Sequence, residues 1–449
     1  MRYHMRVFVV VYIVAFTSLL WWWKKDDHVT KANSVAGRNV LESTVTTPKV
    51  VRVTISVELF SKWFQPVVPL CNERFTGYAQ LFAKLKNVIL DSKLARGQKG
   101  GENISEVLNQ NEESEFYKYQ PGFFRLPCSE PVDYVFKGDS HHLNSWMRDA
   151  LLTDATDFRP PADVHVDWTI AITRYEYANM YHTMTDFYNA FLMLQVFNMD
   201  PDKVTILIID GHPSGQLDVT WSHLFGKVKR ISDFPQPVLF KNMVWSIVGY
   251  ESPLDDHFLG EVPYVEEFRE FFLTRYKVPM NYNLNCRKLN ILLIWRHNYV
   301  AHPRNPSGRV SRKIANEGEL LEKFKSAFPG HSVRGIQIDV YPMKRQLNLI
   351  ARTDILVGMH GAGLSHAMFL PPHAGLVEMF PSYYTSENRH FIAMATWRKL
   401  HYRKWENFDY QRETYDESTR VDVDAVADAA VEIQNAMCTN TETNKRNDN

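Results

Sequence analysis

The sequence has no excess of either charge and little cysteine. Its 449 residues include 51 lysines and arginines against 51 aspartates and glutamates, and only 4 cysteines. Balanced charge argues against a protein that binds nucleic acid by neutralising phosphates. With 45% hydrophobic residues and only 20 glycines, the chain is neither disordered nor collagen-like. A chain of this length predicts two domains, or one large unit with two lobes.

Long hydrophobic runs are also scarce, since a single one stands out and it lies near the start. Val7–Trp23 contains no charged residue. Its length of 17 residues lies at the short end of the about 17–25 residues that span a bilayer. Its final tryptophans suit a membrane–water interface, and they occupy the place where a cleaved signal peptide carries small residues. The run predicts an uncleaved signal anchor at 7–23, with a cytoplasmic tail at 1–6 and a polar stem at 24–49.

Two features favour the secretory lumen for everything after the anchor. The sequon that begins at Asn103 lies in a polar stretch and predicts an exposed glycosylation site. An even number of cysteines permits two disulfides in three pairings, although four buried thiols fit nearly as well. Together these features predict a single-pass type II protein of the endoplasmic reticulum or Golgi membrane. The cysteines are Cys71, Cys128, Cys286 and Cys438.

From about residue 167 the hydrophobic pattern alternates between strands and helices. Short apolar runs bounded by turns predict buried strands, and such strands alternating with helices are typical of parallel sheets. The pattern predicts an α/β fold of two Rossmann-like lobes with a cleft between them, one over 50–275 and one over 276–449. The predicted strands are 167–173, 204–210, 289–295, 332–338, 354–358 and 375–380, and the predicted helices are 180–197, 317–328, 343–352, 423–437 and one from Gly363.

A glycine-rich turn follows a predicted strand of the second lobe. The strand 354–358 leads into the turn His360-Gly361-Ala362-Gly363-Leu364, which opens a predicted helix. Glycine lets other atoms approach the backbone, and a helix N-terminus offers free N–H groups to a phosphate. We therefore predict a nucleotide diphosphate over this turn, with Glu378 accepting hydrogen bonds from ribose hydroxyls. A tight turn with packing glycines and a capping glutamate is the alternative, which a bare G-x-G would favour.

Four arginines crowd the loop after the predicted strand 289–295. Guanidinium groups suit phosphate oxygens, and open α/β sheets bind ligands at the carboxyl ends of their strands. The loop therefore predicts anion binding, with Arg296 and Arg304 as donor-site candidates, although surface arginines are often merely solvated. The remaining two are Arg309 and Arg312.

Ionisable residues also gather at the start of the predicted helix 180–197. Glu176 precedes the helix, while His182 and Asp186 are four residues apart and share a face. A carboxylate or imidazole here can act as general base towards a hydroxyl nucleophile. A salt-bridge network with a structural histidine is the alternative, and the pattern alone favours it.

Metal-binding patterns are missing from the sequence. The Asp422-Val423-Asp424 triplet opens the predicted terminal helix, where its carboxylates more simply cap the helix. The spacing of the histidines matches no recognisable zinc site. The sequence therefore predicts no metal ligands and no metal cofactor. The histidines considered are 297, 302, 360, 366 and 373.

Three blocks, in the same order, resemble glycosyltransferase family 61. They are RYEYANMYHTMTDFYNAF from Arg174, IIDGHPSGQLDVTWSHLF from Ile208, and HGAGLSHAMFLPPHAGLVEMFP from His360. The first two blocks and the arginine-rich segment AHPR from Ala301 carry the closer resemblance. The resemblance covers roughly 167 to 400 and is closest to members that add xylose to N-glycans. It implies an inverting, two-lobed (GT-B) Golgi enzyme that moves xylose from UDP-xylose, in β-1,2 linkage, to the core β-mannose of N-glycans.

The resemblance gives the candidate residues chemical roles. A base removes the acceptor proton while UDP leaves from the opposite face of the sugar. Charge on the diphosphate is met by arginine and by backbone amides, without a metal. The expected base is Asp186 or His182, with Glu176 third. The expected donor-binding residues are Arg296, Arg304, His360, Gly361, Ala362, Gly363, Leu364 and Glu378.

Other functions stay open at this point. Members of the same family transfer N-acetylglucosamine to protein or to O-mannose, so the donor is not decided. A membrane-anchored glycan-binding protein without activity is a second alternative, although it would not need the donor-binding residues. An NAD-dependent dehydrogenase is a third, and the lack of a G-x-G-x-x-G turn beside an early strand argues against it. Residues 50–160 match no motif.

Overall fold

The computed structural model describes residues 65–66, 69–138 and 142–447, with side chains up to residue 439. The predicted tail, anchor and stem lie outside the described residues. Within the described part, every helix is either too short or too polar to cross a lipid bilayer.

The strands and helices follow each other along the chain with the following bounds. The strands are β1 (Phe75–Tyr78), β2 (Phe82–Leu90), β3 (Ala95–Arg96), β4 (Lys118–Tyr119), β5 (Phe124–Pro127), β6 (Leu151–Thr153), β7 (Asp163–Ile172), β8 (Val204–Ile208), β9 (Lys227–Arg230), β10 (Val238–Trp245), β11 (Asn290–Ile294), β12 (Lys313–Ile314), β13 (Ser332–Ile336), β14 (Ile355–Met359), β15 (Gly375–Phe380), β16 (His401–Glu406) and β17 (Ser418–Thr419). The α-helices are α1 (His142–Arg148), α2 (Met180–Phe197), α3 (Asp218–Leu224), α4 (Val265–Arg275), α5 (Glu317–Ala327), α6 (Met343–Ile350), α7 (His390–Trp397) and α8 (Val423–Asn447).

The first sheet has the strand order β6-β5-β2-β10-β7-β8-β9, with β1 paired to β2. Strands β10, β7, β8 and β9 run parallel, as predicted for this region. Strand β2 instead runs antiparallel to β1, β5 and β10. Only a short turn joins β1 to β2, and a parallel crossover needs a dozen or more residues. The first sheet is therefore mixed, which corrects the expectation of a purely parallel sheet.

The second sheet confirms the prediction of parallel strands. Its order is β13-β11-β14-β15-β16, and every neighbouring pair is parallel. Helices α5, α6 and α7 make three of the crossovers, and a 3₁₀ helix, Ala362–Phe369, makes the fourth. Because all five strands point the same way, their carboxyl ends lie along one edge of the sheet. That edge carries the glycine-rich turn and the start of the arginine-rich loop.

The two lobes share one hydrophobic core. Helix α2 is buried on nearly all sides, as expected for a helix enclosed by a large protein. Its Phe187 lies 5.9 Å from Phe272 of α4, whose ring lies 4.6 Å from Phe369 of the second lobe. This cluster continues to Leu347 of α6. The lobes are thus packed together on one side, which leaves the cleft open at the carboxyl ends of the strands.

The four cysteines form two disulfides. Cys71 pairs with Cys128 beside the first sheet, and Cys286 pairs with Cys438. The second bridge joins the segment before β11 to α8, the helix that packs against β16 and α5. Of the three possible pairings, this is the one in which each disulfide stays within one lobe.

Candidate active site

The cleft between the lobes holds a cavity of about 630 Å³ at the carboxyl ends of the strands. That volume falls within the about 300–1,000 Å³ of typical small-molecule sites. Residues from both lobes line it, among them Glu176 and Asn179 from the first lobe and Arg296, Arg312, Gly363 and Leu364 from the second. The structure thus brings residues of the glycine-rich turn, the arginine-rich loop and the start of α2 together around one cavity.

Arg296 lies two residues after β11 and against the glycine-rich turn. Its Nε donates to the carbonyl oxygen of Ser311 at 3.1 Å. A Cβ added to Gly361 would lie 2.0 Å from the Nη1 of Arg296, so glycine is needed for this contact. Burial, and then the neighbouring charge of Arg312, lower the pKa of Arg296 to about 10. A buried cation of this kind, beside a second cation, is well placed to bind an anionic ligand.

Arg312, and not the predicted Arg304, lines the cavity together with Arg296. Its guanidinium lies 4.5 Å from the centre of the Tyr384 ring, in a cation–π contact. Its Nε is buried and has no hydrogen-bond partner among the described residues. A buried donor without a partner is costly, and a phosphate oxygen would satisfy it. Arg312 is therefore a candidate donor-binding residue that spacing alone did not separate from the other loop arginines.

Arg304 and Arg309 point to carboxylates instead of lining the cavity. Arg304 forms a close ion pair with Glu112, and its Nη2 lies 3.7 Å from a carboxylate oxygen of Glu176. Arg309 lies 3.6 Å from Glu417. The loop therefore divides its arginines between the cleft and ion pairs. For Arg304 the structure differs from the expected donor contact, because its charge is already met by two carboxylates of the first lobe.

The glycine-rich turn opens a 3₁₀ helix, where the sequence predicted an α-helix. The Leu364 amide donates to the Gly361 carbonyl at 2.8 Å, which is the first hydrogen bond of that helix. The amides of Ala362 and Gly363 precede this bond, and these residues line the cavity. Amides at this position are the ones a helix leaves for a ligand. The turn thus faces the cavity at the end of β14, and phosphate binding there stays a prediction.

Glu378 lies behind the turn and holds His360. Its Oε1 is 2.5 Å from His360 Nδ1, and its Oε2 accepts from the Tyr402 hydroxyl at 2.7 Å. Glu378 is fully buried. This position differs from the expected ribose contact, because both carboxylate oxygens already have protein partners. Glu378 is therefore placed to orient His360 within the turn.

Burial determines how the Glu378–His360 pair shares its protons. Burial raises the pKa of Glu378 to about 8, whereas burial and the charge of Arg312 lower the pKa of His360 to about 2. These two shifts favour a protonated carboxyl group that donates to Nδ1 of a neutral imidazole. The ring proton is left on Nε2, which makes His360 a hydrogen-bond donor within the turn.

The three base candidates occupy different environments around the start of α2. Glu176 lines the cavity, and its Oε1 accepts from the amides of Tyr177 and Ala178 at 2.7 and 3.0 Å. His182 is half-buried, and burial lowers its pKa to about 4, so it is neutral. Its Nδ1 is buried without a partner among the described residues. A neutral imidazole can accept a proton, but the lowered pKa makes this ring a weaker base than a free histidine, and His182 does not line the cavity.

Asp186 lies deeper than the other two candidates. It is 3% exposed, and its Oδ2 accepts from the Tyr175 amide at 2.9 Å. Burial raises its pKa well above the usual range of a carboxyl group. The Asp186 side chain therefore holds the turn between β7 and α2 at Tyr175, the residue before Glu176.

A buried ionic network, which was not predicted from the sequence, supports this turn. Arg174, fully buried, donates to both oxygens of Asp210, from Nε at 3.0 Å and from Nη2 at 2.7 Å. Its Nη1 donates to Asp218 at 2.6 Å. These contacts tie the carboxyl ends of β7 and β8 together beneath the cleft. Arg174 and Asp210 both lie within the sequence blocks that resemble family 61, and this position could have identified them as candidates.

The predicted glycosylation site is compatible with the structure. Asn103 is exposed at the start of a 3₁₀ turn, and its Nδ2 donates to Glu106 at 3.3 Å. Glycosylation there stays a prediction.

Fold and site together define a two-lobed α/β protein that is built to bind an anionic ligand beside a candidate base, which is the arrangement of a group-transfer enzyme. Residues 180–377 match the family described as Glycosyltransferase 61. The chain belongs to this family and is a glycosyltransferase.

Two plant relatives match most of the chain. A β-1,2-xylosyltransferase, RCN11, of Oryza sativa subsp. japonica is 30% identical over 360 residues, which cover 70% of this chain and 66% of that protein. The β-1,2-xylosyltransferase of Arabidopsis thaliana is 26% identical over 379 residues, which cover 68% and 69%. The EGF domain-specific O-linked N-acetylglucosamine transferase of Drosophila melanogaster is 30% identical over 245 residues, covering 51% and 44%. The chain spans about two thirds of the length of the two plant relatives.

Proposed function

We propose that the protein is an inverting xylosyltransferase with a GT-B-like fold. It transfers xylose from UDP-xylose, in β-1,2 linkage, to the core β-mannose of N-glycans. The observation that carries the proposal is the cavity in which Arg296 lies against the glycine-rich turn, in a chain related to two plant β-1,2-xylosyltransferases. We further propose that the enzyme is a type II Golgi membrane protein, anchored by Val7–Trp23 with its catalytic part in the lumen and glycosylated at Asn103.

The donor diphosphate binds at the carboxyl ends of β11 and β14. Arg296 and Arg312 supply two cations, and the Ala362 and Gly363 amides supply N–H donors from the adjacent glycine-rich turn. Negative charge on the diphosphate grows as the bond between the sugar and UDP breaks. Donors that are already in place stabilise that charge without reorganisation.

The acceptor hydroxyl approaches from the first lobe. A base removes its proton while the oxygen attacks the anomeric carbon, and UDP leaves from the opposite face of the sugar. Glu176, which lines the cavity, and His182, which is neutral, are the groups that we propose for this role. Asp186 acts on the reaction through the turn that carries Glu176.

The transfer step needs no metal, because the two arginines and the backbone amides meet the diphosphate charge. We expect full transfer activity in the presence of EDTA. Two results together would contradict this expectation. They are a loss of activity that Mn²⁺ restores, and UDP binding that depends on metal when it is measured by calorimetry.

N-acetylglucosamine transfer is the second candidate, because the Drosophila relative with that printed activity is 30% identical over 245 residues. A panel of UDP-sugars and acceptors separates the two. The full-length enzyme is incubated with UDP-xylose or UDP-N-acetylglucosamine, and with N-glycans or a folded EGF domain. We expect a pentose mass increment on the N-glycan, with the β-1,2 linkage shown by NMR. A hexosamine increment on the EGF domain alone would replace the proposal with the second candidate.

A further inference from the structure

A group of metal-ligand side chains lies between the two lobes, outside the residues to which a role has been given. Asp255 ends a 3₁₀ turn after β10, and His257 follows two residues later. His390 is the first residue of α7 in the second lobe. One ligand atom from each residue lies within 4.8 Å of the other two. All three side chains are partly buried.

The surroundings of Tyr181 supply a second observation. The Tyr181 hydroxyl, which can both donate and accept hydrogen bonds, lies among three polar atoms. They are the Leu254 carbonyl at 3.1 Å, Asp255 Oδ1 at 3.3 Å and His257 Nε2, which is in close contact. Asp255 and His257 thus contact the same hydroxyl, which places two of the three ligand side chains next to each other.

The two segments are brought together by contacts that do not involve the group itself. The guanidinium of Arg389 lies 5.1 Å from the centre of the Phe258 ring, and Trp397 Nε1 donates to the Leu259 carbonyl at 2.7 Å. The His257 and His390 rings lie 4.4 Å apart. The three ligand side chains are therefore held near one another by the surrounding fold, which reduces the entropy cost of binding an ion.

We propose that Asp255, His257 and His390 bind one divalent transition-metal ion, such as Zn²⁺, which links the two lobes. Two imidazole nitrogens and one carboxylate oxygen suit Zn²⁺, Co²⁺ or Mn²⁺, whereas Mg²⁺ and Ca²⁺ favour oxygen ligands.

The ion has a structural role that is separate from the proposed transfer step. It uses none of the residues that we propose for the diphosphate, and it connects the segment after β10 to α7. The ion stabilises the folded protein because it binds the native arrangement and not the unfolded chain. The proposal does not depend on which sugar is transferred, so the donor panel and the metal experiment can fail independently.

Co²⁺ serves as the spectroscopic probe. The full-length protein, purified in detergent, is stripped with a chelator, dialysed and titrated with Co²⁺ and then with Zn²⁺. We expect visible d–d absorption that saturates at a single Co²⁺ ion per chain and is displaced by Zn²⁺. We also expect Zn²⁺ to raise the melting temperature of the stripped protein by a few degrees.

Three substitutions and one control test the ligand set. His257→Gln, His390→Gln and Asp255→Asn should each weaken Co²⁺ binding by at least about tenfold and remove the Zn²⁺-dependent rise in melting temperature. The matched control is His223→Gln, since His223 is an exposed histidine on α3 and should leave Co²⁺ binding unchanged. UDP affinity, measured by calorimetry, shows that each variant is folded. Absence of saturable Co²⁺ binding in the wild type, or equal binding in folded ligand variants, would overturn the proposal.

Discussion

Gly361 and Arg296 act as a pair, which gives the sharpest prediction for single residues. A Cβ at residue 361 would meet the Nη1 of Arg296 at 2.0 Å, and this atom is the end of a flexible side chain. Gly361→Ala should therefore displace the guanidinium without unfolding the protein. We expect Gly361→Ala and Arg296→Ala to lower UDP affinity by about 10- to 100-fold each, the cost of about 1.5–3 kcal/mol for losing a hydrogen bond to a charged group.

Calorimetry with UDP measures this effect, and Gly318→Ala is its matched control. Gly318 is exposed on α5, and a Cβ there would meet no atom within 4 Å. Alanine favours a helix more than glycine does, so the control should bind UDP normally and be slightly more stable. Unchanged UDP affinity in Gly361→Ala and Arg296→Ala would show that the diphosphate does not bind in this part of the cleft.

Glu378 should make the stability of the protein depend on pH. Its pKa is raised to about 8 by burial, above the usual value of the unfolded chain. A raised carboxyl pKa contributes stability that is complete below the unfolded pKa of about 4 and is lost as pH rises through the folded value. Gln at residue 378 can donate to His360 and accept from Tyr402, as the protonated carboxyl group does. Glu378→Gln should therefore keep the fold and remove this pH dependence.

Thermal unfolding at about pH 5 and about pH 9 compares the two proteins across the window in which Glu378 ionises. The melting temperature of the wild type should fall more between these values than that of Glu378→Gln, by an amount that corresponds to a few kcal/mol. If both proteins lose the same stability, Glu378 is not protonated in the native state at neutral pH. His360 would then carry its proton on Nδ1.

Among the elements, helix α2 carries the prediction about the base. His182→Ala should lower turnover by about 10²- to 10⁴-fold if His182 takes the acceptor proton. Asp186→Asn should lower turnover as well, because Asp186 fixes the backbone before Glu176. The Asn side chain keeps an oxygen that can accept from the Tyr175 amide, so the variant should stay folded.

UDP affinity should be normal in both variants, because the diphosphate residues lie in the second lobe. Gln195→Ala, an exposed position on the same helix, is the matched control and should keep normal turnover. Normal turnover in both His182→Ala and Asp186→Asn would exclude α2 from the mechanism. Glu176→Gln, measured beside them, then tests the remaining candidate.

Elements with a strong local pattern could be predicted from the sequence. Helix α2 and strand β15 begin and end at the predicted residues, because unbroken apolar runs and clear turn residues bound them. Strands β2 and β10 were not predicted, although they are central to the first sheet. Their pairing joins residues more than a hundred positions apart, and a local pattern carries no information about such partners.

The candidate site was predictable to the level of its segments and less so to the level of its side chains. The glycine-rich turn, the arginine-rich loop and the start of α2 do meet in one cleft. The choice between Arg304 and Arg312 depends on the path of a loop, which spacing does not determine. The orientation of Glu378 away from the cleft follows from the Tyr402 hydroxyl on the neighbouring strand β16.

For the whole molecule, the shared core determines how the protein should unfold. One hydrophobic cluster extends from α2 through α4 to the second lobe, so neither lobe can expose its side of the cluster without affecting the other. The two sheets are separate, but this cluster continues from one lobe to the other. We therefore expect the two lobes to unfold in one cooperative transition.

The disulfide Cys286–Cys438 tests that expectation, because it encloses the whole second sheet. Its cysteines are 152 residues apart, and closing so long a loop constrains the unfolded chain. The double variant Cys286→Ser, Cys438→Ser should lose about 2–5 kcal/mol of unfolding free energy in urea. The matched control, Cys71→Ser with Cys128→Ser, opens a shorter loop of 57 residues in the first lobe and should lose a similar or slightly smaller amount.

In both variants, tryptophan fluorescence and far-UV circular dichroism should report the same single transition, shifted to lower urea. Two separated transitions, with only the second lobe destabilised by loss of Cys286–Cys438, would show that the lobes fold independently in spite of the core they share.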